Sequence, residues 1–409
     1  MDSEDTKKNR STGIGFWAGI MLMAALVWGS SAWALHPPTP EQIEEYRKDG
    51  TLEARIRMAE ELGNNKVDPK VAYDTQTRLI DLYEKSTGNR LNINRQPPPA
   101  WQGGLPTRGT VRIPIFLLGF QDYTGQSTGI TFQNVVNKVN GAGDTAEFPY
   151  ESVRNYYLRS SHNQLNISGG VYSWFDMAYP RPQVPDGYVN EGVILDLLKF
   201  WGNTMKQDFA QYDNDNDGTI DTLVILWAGP DNGWANFWWA SQRPFTENFS
   251  NNVTVSGKKL KKYIWMWAKN EKQGDTDVPV KTMIHELGHA LGLPDYYDYD
   301  EKAPAGGIGG LDMMAGTFGD HNCFSKFMLD WITPQVIASG NQSVVLNPSG
   351  TYQYGSSVLA FPNATNQIFS EYFMIQNRYR IGNDSNSRNP ADGLLICMWM
   401  LLQHPMQKV

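Results

Sequence analysis

The sequence predicts an α/β (α+β) domain set between a helical N-terminal segment and a β-rich C-terminal region. Three patterns point there. Residues 40–90 are dominated by charged, helix-favouring side chains. From about 110 to 290, short runs of β-branched and large apolar residues alternate with amphipathic helical stretches. Beyond about 335, short apolar runs are separated by Gly, Asn and Pro.

In the first part, Thr39 followed by Pro40 is a helix start, and Gly50 interrupts the charged run after it, so one or two exposed helices are expected. A further polar helix, VAYDTQTRLIDLYEKSTGN, leads into RQPPPAWQGGLPTRG, whose Pro and Gly mark a linker. TVRIPIFLLGF at 110–120 then reads as a buried strand, ESVRNYYLRSS as a helix and LNISGGVYSWF as two short strands. EGVILDLLKFWGNTMKQDFA at 191–210 reads as one long amphipathic helix, and DTLVILWAG as another buried strand. SVVLNP, SSVLAFP and EYFMIQNRYRI are the strands expected after 335. The predicted segments are therefore 1–34, 35–105, 106–335 and 336–409.

Lys7, Lys8 and Arg10 precede the apolar run GIGFWAGIMLMAALVW, and AWA at 32–34 offers small residues for cleavage, so residues 1–34 read as an export signal. The alternative is an uncleaved anchor, because the charge-free run from Ser11 to Leu35 is long enough to span a bilayer. Membrane attachment is expected only in that case, and either way the remainder lies outside the cytoplasm, secreted to the medium or periplasm.

With 409 residues and 41% hydrophobic content the chain can bury a substantial core. Its 35 Lys+Arg against 43 Asp+Glu give a net charge of −8, and the short KKLKK at 258–262 is the only basic run, which argues against nucleic acid as a partner. Cys323 and Cys397 are too few for a disulfide framework, and a single bridge between them stays open.

The densest chemistry lies in HELGHALGLPDYYD, 285–298. On a helix, residues i and i+4 share a face, so His285 and His289 present two imidazoles to one point, a chelate for zinc. Glu286, beside the first histidine, can take the proton of a water activated by the metal, which makes amide hydrolysis the natural reaction. A chance match on an amphipathic helix is the bland reading, and the flanking residues weigh against it. Gly292 stands where the chain must turn. Asp295, six residues past His289, occupies the third-ligand position of a motif that more often ends in His there, with Asp298 and Asp300 as the nearest substitutes. GGLDMMAGTFG at 309–319 offers a methionine turn beneath the metal, with Met314 preferred over Met313; plain core packing is the alternative. Tyr297 is a candidate to steady an oxyanion.

A second constellation, DNDNDGTID at 213–221, places Asp213, Asp215 and Asp217 at alternate positions, then Gly218, with Asp221 at the ninth place. Hard oxygens at this spacing suit calcium, with Thr219 contributing its carbonyl. Val224 stands at the twelfth place, so the loop is not a complete helix-loop-helix hand; a solvated acidic turn is the alternative.

Taken together, these pieces resemble the immune inhibitor A type of secreted metallopeptidases, metzincin-like bacterial enzymes. The resemblance spans most of residues 35–396 and is carried by PPTPEQIEEYRKDG, VRIPIFLLGFQD, YYLRSSHNQLNISGGVYSW, DNDNDGTIDTLVILWAGP, HELGHALGLPDYYD, GGLDMMAG, SKFMLDW and EYFMIQNRYR…GLLI. It implies a helical prosegment over 35–105, a metzincin-like zinc peptidase domain over 106–335 and the start of a β-rich C-terminal domain, acting on protein or peptide substrates, and it supports calcium at the acidic loop. With no cysteine in 35–105, latency by a thiolate on zinc is excluded for that segment. Two departures stand out. Gln376 occupies a position where the family usually has Glu, and CMWMLLQHPMQKV replaces the family's continuation after GLLI. The shifted frame of Cys-Met-Trp-Met reads His-Val-Asp, the missing continuation, so a frameshift near Cys397 and an incomplete C-terminal domain are expected. The leading expectation is a secreted zinc endopeptidase. Its competitor is a calcium-stabilised, non-catalytic binding protein with an inactive metal site.

Overall fold

The computed structural model describes residues 38–93, 95–99, 102–182, 189–270, 277–299, 307–361, 371–387 and 391–400; the expected export signal and Asp300 lie outside them. Thr39 and Gln42 form a capping box that starts helix α1 (Pro40–Lys48). Helices α2 (Leu52–Leu62) and α3 (Pro69–Thr87) follow, the latter opened by Asp68, whose side chain accepts the Lys70 N–H. Then come β1 (Gly109–Gly119), α4 (Phe132–Asn140), α5 (Val153–Ser160), β2 (Leu165–Asp176), α6 (Val189–Lys199), β3 (Thr219–Ile220), β4 (Leu223–Trp227), β5 (Ser241–Pro244), α7 (Glu247–Asn252), β6 (Thr254–Val255), β7 (Lys258–Leu260) and β8 (Lys262–Trp267). The chain continues through α8 (Val280–Ala290) and α9 (Cys323–Met328) to β9 (Thr333–Ile337), β10 (Tyr354–Ala360), β11 (Glu371–Arg378) and β12 (Gly393–Met400).

The architecture is mixed α/β with several sheets. The central one has the order β2-β1-β4-β8-β5, parallel throughout except for β5, which runs antiparallel to β8 at one edge. Helices α4 and α5 supply the crossover between β1 and β2 that parallel strands require. Strands β1, β4 and β8 are buried almost throughout, which explains their continuous apolar runs. A second sheet, β12-β11-β10-β9, is formed by the C-terminal part, and β3-β7-β6 make a small third one. Among the described residues no helix is long and apolar enough to cross a membrane.

Three local expectations are corrected. The two short strands expected in LNISGGVYSWF are one strand, β2, because its glycines serve close packing and not a turn. A Cβ on Gly170 would stand 2.0 Å from the Tyr212 hydroxyl, and one on Gly169 2.5 Å from Val139. The helix expected to reach 210 ends at Lys199 and passes into a π-turn, Phe200–Thr204, where Gly202, Asn203 and Thr204 are poor helix formers. SVVLNP is not a strand, and Val345 within it is 88% exposed.

One apolar core runs through all three parts. Tyr46, Ala59, Leu79 and Tyr83 of the first three helices, Trp227, Trp265 and Trp267 of the central sheet, and Tyr372 and Met374 of β11 belong to the same cluster. Three lysines of KKLKK are engaged internally: Lys258 pairs with Asp213, Lys261 donates to the Gly103 carbonyl and Lys262 pairs with Asp68, while Lys259 is exposed. Cys323 and Cys397 are both free thiols.

Candidate metal centre

Helix α8 packs beside β8, β5 and α5, and both His285 and His289 are buried on it. A buried imidazole must have its N–H satisfied. His285 Nδ1 lies 3.0 Å from the Met313 carbonyl and His289 Nδ1 2.8 Å from the Leu293 carbonyl. Those acceptors hold a proton on Nδ1 and turn each Nε2 toward the cluster. Both Nε2 atoms converge on Asp295 Oδ1, at 3.0 and 3.3 Å, and one ligand atom from each of the three residues lies within 4.8 Å of the others. Tetrahedral zinc with bonds of about 2.0–2.2 Å separates its ligand atoms by about 3.3 Å. The group could therefore hold a metal ion, and its nitrogen and oxygen donors fit zinc.

Asp295 reaches this place because α8 ends at Ala290 and Gly292, at φ 105°, turns the chain. A Cβ there would stand 2.5 Å from Val71 Cγ2, so glycine is required by both conformation and space. The Asp295 N–H donates to the Asn64 carbonyl at 2.7 Å, and its Oδ2 accepts from Tyr299 Oη at 2.6 Å. The Tyr299 ring stands edge-on to Trp234, with centroids 5.9 Å apart.

Glu286 is buried beside the cluster and keeps Oε2 without a hydrogen-bond partner. Burial raises its pKa; the charges of His289 and His285 oppose that shift and the charge of Asp295 adds to it. For His285, burial disfavours the cation, but the hydrogen bond and charge of Asp295 outweigh it and raise the imidazole to about 9. Asp295 pays the same burial cost, yet the two histidines hold its carboxyl well below the usual range. A carboxylate with an unpartnered oxygen beside such a donor set is placed to accept a proton.

Both methionines of the turn touch this centre. Met314 Sδ sits where a Cβ on Gly288 would be, 2.3 Å away, directly beneath the helix between the histidines, while Met313 supplies the carbonyl that orients His285. Asp312 ties the turn together, accepting from Met314 N at 2.8 Å, Asn322 N at 2.7 Å and Ser325 Oγ at 2.8 Å. Arg378 of β11 reaches across to the carbonyls of Leu311 and Asp320.

The acidic loop is built differently. Carboxylates of Asp213, Asp215 and Asp217 come within 4.8 Å of one another, but Asp213 already receives Lys258 Nζ at 2.6 Å. Asp221 stands outside that trio, bound through Asn214, whose N and Nδ2 donate to it at 3.2 and 2.8 Å. Burial, with Asp215 and Asp217 nearby and the Asn214 bonds opposing, raises Asp221 to about 7. Thr219 enters by its N–H, which donates to Asp217 at 2.8 Å.

Sequence reasoning did not single out Tyr299 or Arg378. Tyr299 is the fourth residue past Asp295 and was legible only as one of several tyrosines; Tyr297, the candidate named from sequence, lies with its ring 5.3 Å from that of Tyr299.

No family model matches the chain. It is similar to Immune inhibitor A of Bacillus thuringiensis subsp. alesti, with 28% identity over 202 residues, covering 41% of this chain. The match spans 28% of that protein's length.

Proposed function

We propose that the chain is a secreted, zinc-dependent endopeptidase of the immune inhibitor A type that hydrolyses peptide bonds in protein substrates. The observation that carries this reading is the convergence of His285 Nε2, His289 Nε2 and Asp295 Oδ1 beside a buried Glu286 oxygen that lacks a partner. Zinc held there supplies a Lewis acid that acidifies water and polarises the scissile carbonyl. Glu286 accepts the proton of the attacking water and returns it to the leaving amine, a role suited to a carboxylate whose pKa burial has raised. Tyr299 and the Met313 carbonyl hold Asp295 and His285 in the orientation that binding requires. Met314 packs against Gly288 and supports the helix from below. Export rests on the sequence of residues 1–34 alone. At the acidic loop we propose calcium, held by Asp213, Asp215 and Asp217 with Asp221 and the Thr219 carbonyl, as a structural ion ahead of β4.

A second reading, a binding protein with a catalytically inactive metal site, is favoured by the burial of the whole cluster: Glu286 is 1% exposed and His289 4%. One experiment separates the two. The purified chain is assayed for bound zinc and for cleavage of casein with and without a chelator. Zinc near one per chain with chelator-sensitive cleavage supports the peptidase, whereas stable zinc with no cleavage supports the second reading.

A further inference from the structure

Three hydrogen bonds join the N-terminal part of the chain to the loop that carries the third ligand. Asp295 N donates to the Asn64 carbonyl at 2.7 Å, Asp68 N to the Gly292 carbonyl at 3.1 Å and Leu105 N to the Ala290 carbonyl at 2.8 Å. All are main-chain bonds, and Asn64, Asp68 and Leu105 are buried. The fit is close: a Cβ on Gly104 would stand 2.3 Å from the Ala290 carbonyl oxygen, and Val71 and Asp68 Cβ fill the space beside Gly292. Asp68 also caps α3 through Lys70 N at 2.9 Å and pairs with Lys262 of β8 at 3.1 Å, so the clamp is anchored to the central sheet. Farther along, Arg55 of α2 donates to the carbonyl of Trp234, the residue against which Tyr299 rests.

We propose that this N-terminal segment is a resident part of the metal centre. It positions the loop Ala290–Asp295, and it stays bound even when the chain is cut between α3 and β1. The segment meets the ligand loop through the loop's own backbone. Buried main-chain donors and acceptors that lose their partners carry a desolvation penalty, so departure of the segment would leave Asp295 N and the Gly292 carbonyl unpaired, while Leu105, beyond the cut, keeps its bond to the Ala290 carbonyl. Asp68 is thus a positioning residue that acts on Asp295 through the loop. The inference rests on the metal-centre reading given above.

The test places a site-specific protease sequence in the exposed stretch 88–93 of the full chain, cuts it and applies the product to gel filtration, with zinc affinity measured by chelator competition before and after cutting. The two pieces are expected to elute together with zinc affinity unchanged within about twofold. In the uncut chain, Asp68→Ala should weaken zinc about tenfold, in the range found for supporting partners of metal ligands, while Asp68→Asn, which keeps the cap, recovers most of it. Separation of the N-terminal piece overturns the inference, and so does a folded Asp68→Ala protein that binds zinc as tightly as the unmodified chain. If the intact uncut chain binds no zinc, the metal-centre reading itself fails, a result distinct from either of those.

Discussion

The two candidate metal clusters differ in how much of the work of binding is done before an ion arrives. At His285, His289 and Asp295, every ligand is buried and its second polar atom already held, by the Met313 and Leu293 carbonyls and by Tyr299. At the acidic loop, Asp215 is exposed, Asp221 is engaged with Asn214, and Lys258 occupies one oxygen of Asp213. The first arrangement spends folding energy on a donor set that would otherwise bring two imidazoles and two carboxylates into apolar surroundings. The second is a turn whose carboxylates are neutralised in part by the protein's own cation. Preorganisation favours tight, selective binding at the first and weaker, exchangeable binding at the second.

The largest effect that separates them is catalytic. Glu286→Gln should lower peptidase turnover by about 10³-fold, the scale of general acid–base catalysis, with zinc content unchanged. Asp295→Ala should instead remove zinc and activity together while leaving calcium binding intact, measured by metal analysis and calorimetry. Should Glu286→Gln retain activity, the proposed mechanism falls.

Next in size is the support of the ligands. Tyr299→Phe removes the hydroxyl that donates to Asp295 Oδ2 at 2.6 Å and should weaken zinc by about 10- to 100-fold, with little change at the acidic loop. An unchanged affinity would mean that Asp295 is oriented by its backbone alone.

Protons compete with zinc for the same nitrogen. Because His285 in the metal-free protein is raised to about 9, it is protonated at neutral pH, and zinc must displace that proton. The apparent dissociation constant should rise about tenfold for each unit that pH falls below about 9 and level off above it, with release of about one proton per zinc at pH 7 in calorimetry across buffers. Calcium at the acidic loop faces a later crossover, since Asp221 is raised only to about 7.

Much of the candidate metal centre was legible because its residues are local in sequence. His285, Glu286 and His289 share one helical turn or its neighbour, and Gly292 and Asp295 follow within six residues. What escaped depended on tertiary contacts. Nothing in NNKVDP announces that Asn64 would receive the N–H of Asp295. Glycine was the least transparent signal. LNISGGVYSWF reads as two short strands, but its glycines serve packing against Tyr212 and Val139 within a single strand, whereas Gly292 does what a helix-ending glycine is expected to do. SVVLNP, which meets β11 only in an isolated bridge at Pro348–Asn377, shows that β-branched residues alone do not make a strand.

The smallest predicted effect tests the acidic loop alone. Lys258 holds Asp213 Oδ2 at 2.6 Å and is partly exposed, so its attraction is screened and modest. If a cation binds among Asp213, Asp215 and Asp217, it must share Asp213 with that ammonium. Lys258→Gln should therefore strengthen calcium binding by roughly threefold, within the range of exposed ion pairs, and leave zinc affinity untouched. Calcium should at the same time raise the thermal midpoint more in the variant than in the unmodified chain, because a ligand that binds only the folded state stabilises it by mass action. Equal calcium affinity in the two proteins would place the ion away from Asp213. Absence of any calcium effect in either would return the loop to a solvated turn held by Lys258, which would then account for the three carboxylates by itself.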